Sequence, residues 1–309
     1  MTAVVVFVHI HYPETWLPIR DRLSACMDVP FRIVLTTTAE HSAFDPPASE
    51  QLVDMKVLIV ENRGRDVLPF LNALRATEPF EIGLKLHGKK SVHRLDGESW
   101  RDALLQSLLP ERPETRALVD HMRQDSRVAL AAPSFSLCSI DRHIGRNMGA
   151  MRRIARRLGI DLAPALAATP YFAAGTMFWF RREALEPLLK VDFNEDFAVE
   201  RGQTDGTAAH AFERLFSVVA EQGGRVTVTA GHLKSMNGCV SAADMRHATK
   251  QTVDVDTTHV RRPGRLGAFA LRYLWFVTPI YAALPGSVRR RIKRVLRPLA
   301  SIDDGRPAA

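Results

Sequence analysis

Residues 56–91 read KVLIVENRGRDVLPFLNALRATEPFEIGLKLHGKKS, and their patterning sets the fold class. Lys56 to Val60 is an apolar run of strand length and reads as a buried strand. The chain then turns through Asn62-Arg63-Gly64-Arg65-Asp66 and enters a helical pattern from Asp66 to Ala76. A second apolar strand, Ile82 to Leu86, ends in His87, Lys89, Lys90 and Ser91. Strand, helix, strand, with both strands apolar apart from one lysine each, is the unit of a parallel sheet covered by helices.

The same alternation continues on either side. Strands are expected at Val4 to His9, Phe31 to Thr36, Val128 to Ala132, Ala174 to Phe180 and Arg225 to Thr229. Helices are expected at Glu14 to Met27, Glu98 to Leu109, Glu114 to Gln124, Asn147 to Leu158, Arg182 to Leu189 and Asp205 to Gln222. The chain is therefore expected to be α/β, with a doubly wound, mostly parallel sheet. Ligands in such sheets bind beyond the carboxyl ends of the strands. That rule places His9 and His11, Asn62 to Asp66, and His87 to Ser91 on one rim.

The bulk composition narrows the class. The 309 residues are 46% hydrophobic and 25% charged, an ordinary globular balance. Cys26, Cys138 and Cys239 lie far apart, which argues against a disulfide framework or a zinc knuckle. The opening MTAVVVFVHIHYP has no basic leader and reads as a first strand. The net charge of +8 is concentrated near the C-terminus, where ten Arg or Lys and no acidic residue fall between Thr257 and Ile302. The rest is about neutral, which argues against nucleic acid as a partner.

Four motifs carry chemistry. In Asn62-Arg63-Gly64-Arg65-Asp66, Gly64 permits a tight turn, Asp66 can cap the following helix, and Arg63 and Arg65 are free to fork onto phosphate oxygens. A charged turn with a helix cap reads equally well, and no GxGxxG or P-loop is present. Lys85, His87, Lys89 and Lys90 form a cationic strand end that could neutralise a pyrophosphate leaving group; a solvated basic loop is the alternative. Ala174-Gly175-Thr176 passes small residues into a core strand. Asp205 stands at a helix mouth, where an ionised carboxylate can act as general base. His210, Glu213 and Arg214 follow near one face, although a cap with a surface ion pair explains that segment too. Glu195 and Asp196 are competing carboxylates. Leu266 to Leu284 is nineteen largely apolar residues containing Arg272 and Pro279 and followed by a run of Arg and Lys from Arg289 to Arg294. It suits an interfacial helix on an anionic membrane better than a spanning one; a hairpin packed on the body is the alternative.

Taken together, His9-x-His11-Tyr12, Asn62 to Asp66, Lys85-Leu86-His87-x-Lys89-Lys90-Ser91, Trp100-Arg101, Ala174 to Trp179, and Asp205-Gly206-Thr207-x-x-His210-Ala211-x-Glu213-Arg214 resemble the rhamnan synthesis protein F family. The resemblance implies a glycosyltransferase of cell-surface polysaccharide or O-antigen synthesis that uses a nucleotide sugar, dTDP-rhamnose foremost, and a lipid-linked glycan acceptor. The order of elements is also similar to the GT-A fold. By that likeness Asn62 to Asp66 contacts the nucleotide and His87 to Ser91 occupies the place of a DxD metal site. Gly175 then floors the acceptor site and Asp205 supplies the base. No DxD is present, so no metal ligand is assigned and a Mg²⁺ or Mn²⁺ requirement is left open. The expected organisation is a GT-A-like domain over 1–240, a linker over 241–260, and a basic amphipathic helical extension over 261–309 at the inner face of the cytoplasmic membrane. A non-catalytic glycan- or nucleotide-sugar-binding subunit is the alternative function.

Overall fold

The computed structural model describes residues 2–39, 43–88, 97–200, 205–236 and 238–255. One compact unit runs from Met1 to Asp256; Thr257 to Ala309, with the expected membrane-binding extension, lies outside the described residues. In chain order the elements are β1 (Val4–Ile10), α1 (Trp16–Cys26), β2 (Phe31–Thr37), β3 (Leu52–Ile59), α2 (Val67–Ala76), β4 (Ile82–Gly88), α3 (Gly97–Leu108), α4 (Arg112–Gln124), β5 (Val128–Ala132), β6 (Leu137–Ser139), α5 (Met148–Arg157), α6 (Leu162–Ala168), β7 (Tyr171–Ala173), β8 (Phe178–Arg181), α7 (Arg182–Leu189), α8 (Ala208–Ala220), β9 (Val226–Thr229) and α9 (Ala242–Val255). Among these helices none is long and apolar enough to cross a membrane.

Seven strands form one sheet in the order β3-β2-β1-β4-β8-β5-β9, and β6 pairs antiparallel with β7 in a separate two-stranded sheet. The β1–β2, β2–β3, β1–β4 and β5–β9 pairs are parallel, whereas β8 runs antiparallel between β4 and β5. The fold is thus mixed α/β with a mostly parallel sheet, as the alternation predicts.

Strand periodicity divides the core in two. From β1, Val5 and Phe7 enter one core with residues of α2, α5, α7 and α8, while Val4, Val6, Val8 and Ile10 enter the other with residues of α1, α3 and α4. Burial of both strand faces explains why β1 is apolar throughout. Phe7, Phe70 and Phe180 sit with ring centroids 5.4–6.0 Å apart at the centre of the first core.

The structure departs from the sequence reading in several places. The strand containing Lys56 to Val60 is not buried: β3 is the sheet edge, and Val57 and Ile59 are 43% and 52% exposed. The strand expected from Ala174 begins only at Phe178, because Ala174 to Thr176 form a turn. The two-stranded sheet β6–β7 and helix α6 lie where no element was expected. The stretch 241–260, expected as a linker, holds α9, whose Met245, Thr249 and Val253 are buried. Glu221, at the end of α8, helps fix that helix. Its carboxylate accepts from the Thr227 amide at 3.1 Å and from Arg246 of α9 at 3.3 Å. Burial pushes its pKa up to about 7 against those bonds.

Gly88 closes β4 against the turn after β1. A Cβ there would lie 1.9 Å from Thr15 Oγ1 and 2.7 Å from Thr15 Cβ. We expect Gly88→Ala to destabilise the protein by about 1–3 kcal/mol through overpacking. A urea midpoint equal to that of the wild type would show that the contact yields.

Candidate functional site

The parallel strands β1, β2 and β4 end together, and the side chains near those ends converge. On β4, Ile82, Leu84 and Leu86 take one face, which leaves Lys85 and His87 on the face that carries Phe7 of β1. His9 is directly opposite His87, and Phe7 opposite Lys85. Period two therefore assembles His9, Lys85 and His87 on the α2 side of the sheet. His9, Thr36, Asp66 and Lys85 line one small cavity there.

Lys85 is the centre of this arrangement. It is 1% exposed, and its ammonium donates to Asp66 Oδ2 at 2.5 Å and to the Thr176 carbonyl at 2.9 Å. Phe70 and Phe216 offer their ring faces at 5.3 and 6.0 Å. Thr176 Oγ1 donates to the same Asp66 oxygen at 2.5 Å. Burial alone would raise the Asp66 pKa. The Lys85 charge and the hydrogen bonds from Lys85 and Thr176 hold it far below the usual carboxylate range. Asp66 immediately precedes α2, but its carboxylate caps nothing there; the ion pair has claimed it.

Two turns hold unusual backbone around this pair. Gly64 and Arg65 have φ of 68° and 56°, and Gly175 and Thr176 have φ of 88° and 54°. Positive φ is strained for a β-branched residue such as Thr176. Gly64 has a second reason to be glycine, because a Cβ would meet Leu68 Cβ at 2.5 Å. The Gly175-Thr176 turn is clamped from both sides: His87 Nε2 donates to the Gly175 carbonyl at 2.6 Å, and the Gly175 amide donates to Glu213 Oε1 at 2.7 Å. Trp100 flanks it, with Nε1 3.9 Å from where a Gly175 Cβ would stand.

The mouth of α8 completes the rim. Arg63 Nε donates to the Phe197 carbonyl at 2.6 Å, and Arg65 pairs with Glu200 at 3.3 Å and donates to His210 Nε2 at 3.1 Å. A guanidinium can only donate, so Nε2 of His210 accepts and its Nδ1–H faces Thr207 Oγ1 at 2.8 Å. Thr207, not Asp205, is the residue before α8. Asp205 reaches sideways, accepting from the Arg146 amide at 3.0 Å and from Asn147 Nδ2 at 2.7 Å. Burial would raise its pKa, and these bonds outweigh it and leave Asp205 below the ordinary value.

The expected residues thus separate into groups. Asp66, Lys85, His87, Gly175, Thr176 and Glu213 form one bonded lattice. His9 and His11 lie on the adjoining strand end, bonded to Thr36 at 3.0 Å and Thr38 at 2.6 Å. Asn62 is exposed. Arg63 and Arg65, expected free for phosphate, hold protein partners. Of the alternative carboxylates, Asp196 is paired with Arg153 and Arg157. Lys89, Lys90 and Ser91 lie outside the described residues, so half of the expected cation cluster is not described and the other half is buried. Among the described residues, no three His, Cys, Asp or Glu side chains converge as a metal site requires. Sequence reasoning missed Asn147, Arg146 and Glu200, which reach the rim from distant segments and carry no local signal. The inward aim of Lys85 was readable from the alternation of β4.

Residues 1–224 match the family model for rhamnan synthesis protein F. Two curated proteins of Xanthomonas campestris pv. campestris, both named uncharacterized protein WxcX, are similar. The one from strain B100 is 36% identical and the one from strain ATCC 33913 is 35% identical, each over 253 residues. The matched region is 80% of this chain and 36% of each relative, so the chain spans little more than a third of their length.

Lys85→Met should cost about 3–5 kcal/mol, because it leaves a buried carboxylate uncompensated. The double substitution Lys85→Met with Asp66→Asn should recover part of that loss. Additive losses in urea denaturation would dissolve the pairing argument. Stability should also carry two opposed pH slopes. Burial depresses the pKa of His9 from 6.5 to about 4, so the unfolded chain binds the extra proton in that window and stability rises with pH across it. Glu221 is raised from 4.5 to about 7, so the folded chain holds the extra proton and stability falls as pH climbs through that interval. Replacing His9 with Asn should expose the falling slope, and replacing Glu221 with Gln the rising one. Midpoints measured from acid to neutral pH, with slopes unchanged by either substitution, would overturn the assignment.

Proposed function

The chain belongs to the rhamnan synthesis protein F family, and from that premise we propose that it is a glycosyltransferase of GT-A-like fold acting in polysaccharide synthesis. Its donor is a nucleoside-diphosphate sugar, dTDP-rhamnose foremost, and its acceptor a hydroxyl of a growing glycan. The strand order is compatible with a GT-A arrangement. The observation that carries the reading is the pair of left-handed turns, Gly64-Arg65 and Gly175-Thr176, held against Asp66–Lys85 at the carboxyl ends of the parallel strands. Strained backbone maintained by a buried ion pair, at the edge where α/β sheets bind ligands, is the signature of a preorganised site.

In this reading the acceptor oxygen attacks the anomeric carbon, the bond from that carbon to the diphosphate breaks, and the electron pair leaves with the diphosphate. The acceptor proton passes to Asp205. Its depressed pKa keeps that carboxylate ionised at neutral pH but makes it a weak base, so charge stabilisation of the leaving group carries more of the acceleration. Arg63, Arg65, Lys89 and Lys90 are the cations assigned to that task.

A second reading, a non-catalytic glycan- or nucleotide-sugar-binding subunit, draws on one specific observation: Arg63, Arg65, Lys85 and His87 each already hold a protein partner. Release of dTDP from dTDP-rhamnose by the full chain, with and without a glycan acceptor, separates the two. The transferase reading expects acceptor-stimulated release. It also expects Asp205→Asn to reduce release by roughly a hundredfold or more, while a thermal shift on adding dTDP is retained. A dTDP-induced shift with no release from any variant would favour the binding subunit.

A further inference from the structure

Among the described residues, the edge strand β3 has one hydrogen-bonded neighbour, β2, and no strand pairs with its other flank. Leu52 and Met55 pack against the second core, but most of the strand is exposed. Val53 and Val57 are 63% and 43% exposed, and Leu58 and Ile59 are 38% and 52% exposed. The described residues that lead into it, 43–51, form no helix that could cover it. An apolar edge strand is a template for another strand, and proteins blunt such edges with proline, bulges or charge. β3 contains no proline. Its irregularity falls at its first residues, opposite Phe31 and Arg32. Its charges are Asp54 and Lys56, opposite in sign, two residues apart and both exposed.

That spacing selects an occupant. Two copies related by a two-fold axis meet edge to edge as antiparallel strands. Residues directly opposite in an antiparallel pair both point toward the partner strand or both point away, so the axis must pass through a residue and not between two. Centred on Asp54, two carboxylates would face each other. Centred on Lys56, two ammonium groups would. Centred on Met55, Asp54 of each copy falls opposite Lys56 of the other, and the bulge at Val53 interrupts the alternation beyond that point. This register makes two opposite-charge pairs, where either neighbouring register sets like charges face to face.

We propose that β3 pairs with β3 of a second copy of this chain, antiparallel and centred on Met55, joining the two sheets into one. The pairing stands on the edge strand alone and is independent of the catalytic reading. The test is charge complementation by sedimentation velocity with the full chain at micromolar concentration. Wild type sediments as a dimer. D54K places two cations on the edge and K56D two anions. Each variant alone turns both cross-strand pairs repulsive, and the dissociation constant rises by roughly tenfold or more. Mixed in equal amounts, the two variants regain attraction at both pairs and form a heterodimer. Because both side chains are solvent-exposed, circular dichroism of each variant should match that of the wild type. A monomeric wild type, a dimer insensitive to either substitution, or a mixture that stays monomeric would overturn the proposal.

Discussion

The buried contact of Lys85 with Asp66 constrains everything at the rim. A lysine in a core lined by Phe70 and Phe216 is tolerable only with a carboxylate and further acceptors within reach. Asp66 supplies the charge, and the Thr176 carbonyl supplies the second acceptor. Satisfying the lysine therefore dictates where α2 begins and how the turn before β8 is shaped. The positive φ at Thr176 follows from this: the residue must offer both its carbonyl and its hydroxyl to one ion pair.

Among the described residues, the rim is accordingly a lattice in which the cations hold protein partners. His87 and Glu213 grip the Gly175 peptide from opposite directions, one at its carbonyl and one at its amide. Arg65, Glu200, His210 and Thr207 form a second chain of bonds across the mouth of α8. Rigid walls of this sort suit a site that must position a ligand, and beside them Asp205 anchors the 145–147 turn through Arg146 and Asn147.

Much of the fold was legible because burial on both faces forces strands to be apolar end to end. β1, β2, β4 and β5 announce themselves in that way. Val57 to Ile59 of β3 is just as apolar although it lies at the sheet edge, and composition alone cannot distinguish a central strand from an edge. The Ala174-Gly175-Thr176 turn was misread as strand because local propensity knows nothing of the ion pair that bends it. The site residues fared likewise. Those on β4 follow from period two, whereas the partners of Asp205 and Arg65 come from segments far along the chain, and no spacing rule reaches them.

Distance along the chain has a further consequence, for the order in which the protein assembles. Thr176 lies 110 residues beyond Asp66 and 91 beyond Lys85, yet it completes both. During synthesis the strands β1, β2 and β4 emerge with a lysine and an aspartate committed to a core whose last acceptor has not been made. Pairing of such remote segments is slow, because the loop between them must close before any contact rewards it. The antiparallel β8 is thus a late keystone: it enters the sheet between β4 and β5, both already made, and brings the Gly175-Thr176 turn to the rim in the same step. Docking of that single strand joins β4 to β5 and completes the ion pair, while the rim still waits for α8, whose Glu213 grips the same turn.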